Sequence, residues 1–120
     1  MIPQNIEEAL IAVKEFFYPE ELQEIDESPD IDNMIKYHHT VGRAMRNYWG
    51  LWKKGTKLKE VFKKLGIHHP DDISSIILNS FWKERHGQPI ELEAQVKKYI
   101  DYWAKLNEQA DNSMPIEEEE

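Results

Sequence analysis

Pro70-Asp71-Asp72-Ile73-Ser74-Ser75-Ile76-Ile77-Leu78-Asn79-Ser80-Phe81-Trp82 is the stretch whose pattern decides the fold. Proline suits the first position of a helix, where its missing N–H costs nothing. Two acids follow in the first turn, where the helix dipole favours negative charge. Ile73, Ile76, Ile77, Leu78, Phe81 and Trp82 spread over more than half the helix circumference. Such a helix must be covered on several sides, which predicts a central, deeply buried element. Gly87 and Pro89 close it.

Outward from this centre the apolar residues keep helical spacing, and no window alternates as a half-buried strand would. A first helix is predicted over 6–17, capped by Asn5, with Ile6, Ala9, Leu10, Val13, Phe16 and Phe17 inward. Pro19 opens a short second helix that Ser28-Pro29-Asp30 ends. A third is predicted over 31–49. Met34, His38, Val41, Met45, Tyr48 and Trp52 are expected as its buried stripe, with Trp49 and Trp52 covering the bundle end. A fourth, capped by Thr56, turns Leu58, Val61, Phe62 and Leu65 inward and ends at Gly66. A last helix opens near Glu91. Its seam of Leu92, Val96, Tyr99, Trp103, Leu106 and Ala110 packs internally or forms a homodimer through 92–110. The expected architecture is all-α, a compact single-domain bundle of five or six helices over 1–110. An acidic disordered tail is expected over 111–120.

The chain has 120 residues and no cysteine. That excludes a disulfide scaffold, a thiol nucleophile and a thiolate zinc site. Residues 1–8 show neither a basic region nor an apolar run, and no window is long and apolar enough to span a bilayer. The cytoplasm is the expected compartment, with no membrane contact. The net charge is −8, which argues against a general nucleic-acid binder. The total conceals a polarised map. Residues 1–35 sum to −9, residues 36–69 to +8, residues 70–110 to −2 and residues 111–120 to −5. Either the acidic first third neutralises the basic middle, or a basic face remains for an acidic partner.

Special residues concentrate in His38-His39-Thr40-Val41-Gly42-Arg43-Ala44-Met45-Arg46-Asn47-Tyr48-Trp49-Gly50-Leu51-Trp52. On a helical wheel His39, Arg43 and Arg46 share a stripe with Asn47 beside it and Trp49 at its edge. Two arginines can grip a carboxylate or phosphate, or clamp an acid of the same fold. Gly42 lies between this stripe and the core, where it lets a neighbour approach closely. His38 is expected as a hydrogen-bonded core residue. His68-His69-Pro70-Asp71-Asp72 forms a second cluster, in which an aspartate is expected to cap the central helix. Candidate binding residues are therefore His39, Arg43, Arg46, Asn47, Trp49, Trp52, His69, Asp71 and Asp72. No catalytic residue, metal ligand or cofactor is assigned, because no nucleophile elbow, phosphate loop, dinucleotide motif or His-Glu-x-x-His occurs.

The pattern His-x-x-Gly-x-x-x-Arg-Asn-x-Trp-x-x-Trp (His39 to Trp52), followed by His-Pro-Asp-Asp-x-Ser (His69 to Ser74), resembles an uncharacterised family of small bacterial domains, a domain of unknown function. The resemblance covers about Pro3 to Leu106. It implies that the two clusters lie side by side, with His39, Arg46, Asn47, Asp71 and Asp72 in one polar network, in which an Arg46–Asp72 ion pair buttressed by Asn47 is the structural alternative to a site. The expected function is a non-enzymatic domain, bacterial or phage, that binds and modulates an unidentified protein in the manner of immunity or inhibitor proteins. The alternatives are a small metal- or phosphate-dependent enzyme using the His/Asp cluster, and a nucleic-acid binder or DNA mimic.

Overall fold

The computed structural model describes residues 2–113. Every regular element among them is helical: α1 (Ile6–Ala12), η1 (Val13–Phe16), α2 (Pro19–Glu27), η2 (Ile31–Tyr37), α3 (Val41–Tyr48), α4 (Lys57–Lys64), α5 (Pro70–Arg85) and α6 (Leu92–Ser113), where η marks a 3-10 helix. The expected five or six helices thus become eight segments, because two continuous helices each prove to be a 3-10 and an α piece. The acidic tail expected over 111–120 begins inside α6, and from Met114 onward it lies outside the described residues.

Local chemistry explains most boundaries. The Asn5 side chain accepts the Glu8 N–H at the start of α1. Pro19 and Pro70 each occupy a first helical turn, and Glu21 reaches back to the Tyr18 N–H. Gly66, at φ +96°, ends α4, with the Ile67 N–H bonded to the Phe62 carbonyl. Two capping expectations differ. His69, not an aspartate, occupies the cap of α5, and Thr56 caps α4 without a side-chain hydrogen bond.

α5 is the hub. Ile73, Ile76, Ile77, Leu78, Phe81 and Trp82 are all buried, and α1, α2, η2, α3, α4 and α6 pack against the helix. Phe17 stacks on Phe81 at 5.3 Å and meets Tyr37 edge-on at 5.1 Å.

The stripe expected from Met34 to Trp52 is corrected. A 3-10 helix has three residues per turn. Ile31, Met34 and Tyr37 therefore share its inner face, and Tyr37 rather than His38 is fully buried. After the break at His38–Thr40, α3 restarts in a new phase. It buries Val41, Met45 and Trp49, while Tyr48 (78% exposed) and Trp52 (58%) turn outward. In α6, Val96 is buried and Leu92 and Tyr99 are packed on the core, but Leu106 is exposed.

Candidate functional site

The Arg46 side chain folds back along α3 over Gly42 and crosses to α5. Its Nη1 donates to Ser74 Oγ at 2.8 Å, and Ser74 Oγ in turn donates to the Asp71 carbonyl at 2.9 Å. Gly42 makes this path possible, since a Cβ there would stand 3.0 Å from Arg46 Nη1. The glycine thus accommodates an arginine, as well as the approach of Leu78 from α5. Arg46 Nε lies 3.2 Å from Asp71 Oδ1, yet its N–H is not aimed at the carboxylate and finds no hydrogen-bond partner. The contact is a Coulombic pair. The arginine side chain is 7% exposed and the aspartate 58%.

The Arg46–Asp72 pair implied by the resemblance is therefore replaced by Arg46–Asp71. One residue along a helix is a 100° turn. It carries Asp72 toward α6, where it accepts the Trp103 Nε1–H at 2.7 Å. Asn47 does not buttress the pair; its Oδ1 accepts from Trp52 Nε1 at 3.2 Å.

Around this arginine opens a polar concavity of about 470 Å³, lined by His38, His39, Arg43, Arg46, Asn47, Trp52 and Asp71. Six of the nine sequence candidates meet there: His39, Arg43, Arg46, Asn47, Trp52 and Asp71. Three do not. Trp49 is buried in the core, edge-on to Phe16 at 5.6 Å. His69 stacks on Trp103 at 4.2 Å, and Asp72 lies beside it. Two contributors were missed as site residues. Ser74 is the last residue of the second motif, and that is its only signal. His38 lines the wall with Nδ1 3.2 Å from Ser75 Oγ. Burial and then the Arg46 charge hold the His38 pKa below its ordinary value, so the ring is neutral at neutral pH.

The His/Asp cluster is split between this concavity and the α6 side. Among the described residues no three His, Asp or Glu side chains converge as a metal-binding group.

Next to the concavity runs the lysine-rich segment. Lys53, Lys54, Lys57, Lys59, Lys63 and Lys64 form no ion pair among the described residues, and neither does Arg43. The acidic first third is occupied elsewhere: Glu24 pairs with Lys36, and Asp26 takes a two-pronged grip from Arg85 at 2.5 and 2.7 Å. Of the nine cations in 36–69, only Lys36 is neutralised from the acidic third, and Arg46 by α5. Lys54, Lys59, Lys63 and His68 also line a smaller concavity of about 320 Å³.

Fold and site together define an all-helical domain with an arginine-floored polar concavity beside a basic face. The family model described as Domain of unknown function (DUF6794) matches residues 2–85. The chain belongs to that family. The match covers α1 through α5 and every residue lining the concavity, whereas the resemblance expected over Pro3–Leu106 also took in most of α6. No curated protein and no solved structure matches the chain. No helix among the described residues is long and apolar enough to cross a membrane.

Proposed function

We propose that this is a non-enzymatic protein-binding domain that docks an acidic segment of a partner protein on the face formed by Arg43, Trp52 and the lysines of 53–64. One observation carries the reading: seven cations in a chain of net charge −8 are left without an acidic partner among the described residues. Clustered like charges repel one another and cost stability. The same field steers an acidic partner and accelerates encounter. The outward residues beside it are of the kind that anchor interfaces: Trp52, Tyr48 and Arg43. Arg43 can take a carboxylate through two parallel hydrogen bonds. Arg46, held by Ser74 and paired with Asp71, fixes the floor of the concavity.

The test is fluorescence anisotropy with a labelled Glu-rich peptide carrying one aromatic residue, against a neutral peptide with Gln in place of each Glu and a DNA duplex. The acidic peptide should bind, and Lys57→Glu/Lys63→Glu or Trp52→Ala should each weaken it about tenfold without lowering the melting temperature. Equal binding of the neutral Gln peptide, or full binding by the charge-reversed variant, overturns the reading. Tighter binding of the duplex, falling steeply with salt, transfers the face to nucleic acid.

A further inference from the structure

A second cavity, about as large as the concavity over Arg46, opens on α5. η2 and α6 both pack on α5, and between these two walls a groove of about 460 Å³ remains open. Its floor is Leu78, Ser75 and Asn79 of α5. One wall is Ile31, Met34 and Ile35 of η2, with Asp32 beside them. The other is Gln95, Lys98 and Tyr99 of α6, and Lys83 stands at the α5 end. The periodicities explain the shape. Ile31 and Met34 are one 3-10 turn apart, while Gln95, Lys98 and Tyr99 are one α-helical turn apart, so each wall presents a continuous strip.

Two features of the groove call for an occupant. The Ile35 side chain is 69% exposed at its lip, an apolar surface left uncovered. Lys98 has no acidic partner among the described residues, and Lys83 holds only a long 3.5 Å contact to an exposed Glu91.

We infer that this groove binds a small organic anion with an apolar body. The body lies on Leu78, Met34 and Ile35, and the anionic end meets Lys98 and Lys83. The volume lies within the range typical of small-molecule sites, which combine apolar walls with a few fixed polar groups. The groove meets the concavity over Arg46 only at His38 and contains none of Arg43, Trp52 or the lysines of 53–64, so a ligand there can be tested apart from that face.

The experiment is an amide NMR titration of the full chain with three probes. Indoleacetate and naphthaleneacetate carry body and anion; indole lacks the anion. Both acids should give saturable shifts at residues 75–79 and 95–99. Indole should bind about tenfold more weakly. Lys98→Ala, an exposed position that leaves the fold intact, should weaken indoleacetate to the level of indole. Asn79→Trp should fill the groove and abolish the shifts. No saturation at millimolar indoleacetate, shifts mapping elsewhere, or binding undiminished in Lys98→Ala each overturn the inference.

Discussion

Arg46 and Gly42 are one structural unit. The guanidinium occupies the space that a side chain at position 42 would take, and Ser74 holds it there. Arg46→Ala removes a charge-assisted hydrogen bond, a loss of about 2 kcal/mol. A pair with a buried acid would cost roughly 3–5 kcal/mol, but Asp71 is mostly exposed and water takes over its solvation. Gly42→Ala alone should destabilise, because a guanidinium held inside the fold cannot yield space. Combined with Arg46→Ala, the same substitution should become stabilising, by up to about 1 kcal/mol of helix propensity. Denaturant melts of the four proteins in this cycle check the change of sign. Two additive losses would show that the glycine serves only the backbone approach.

Among the elements, α5, the Asn5 cap, the Pro19 start of α2 and the Gly66 end of α4 were legible in the sequence, because each rests on residues next to one another in the chain. The break in the third helix was not. His38-His39-Thr40 carries no proline or glycine, and a 3-10 helix with period three differs from an α-helix by less than one residue per turn. Packing of Ile31, Met34 and Tyr37 on α5 decided between them. Gly66 belongs to the same scale. It ends α4 with a positive φ and lies under α6, where a Cβ would stand 2.9 Å from Ile100 Cδ1. Gly66→Ala should cost at least about 1–2 kcal/mol for the left-handed backbone alone, with further cost if Ile100 is forced outward. Trp82→Ala in α5, a core cavity of about 3–5 kcal/mol, sets the scale in the same thermal melts. A neutral Gly66→Ala would mean that α6 does not seat on the α4 terminus.

For the whole molecule, acid sensitivity should come in two steps. His38 has its pKa held below the ordinary 6.5, chiefly by burial. Unfolding raises it again, so the unfolded chain binds the extra proton first. Stability is therefore full above pH 6.5 and declines as pH falls through 6.5 toward the depressed folded value. Asp26 has its pKa held below 3.8, chiefly by the Arg85 hydrogen bond. Its contribution is present above pH 3.8 and lost as pH falls below that. Melting temperature against pH checks both: His38→Gln should remove the first decline and leave the second, and Arg85→Gln the reverse. Loss of both declines in one variant would reject the assignment.

The residues alone determined that this protein is helical, which helix is central and where the polar clusters lie, since these follow from spacing, caps and turns along the chain. They also carried the polarised charge map, including the +8 middle. Only the tertiary structure decided which charges meet. It placed Asp71 rather than Asp72 on Arg46, sent His69 and Asp72 to Trp103, buried Trp49 instead of Trp52, and left the lysines of 53–64 without acids among the described residues. The physical reason is that ion pairing and burial depend on helix phase and on which faces pack. A shift of one residue, 100° around a helix, changes every partner while leaving the pattern along the chain intact.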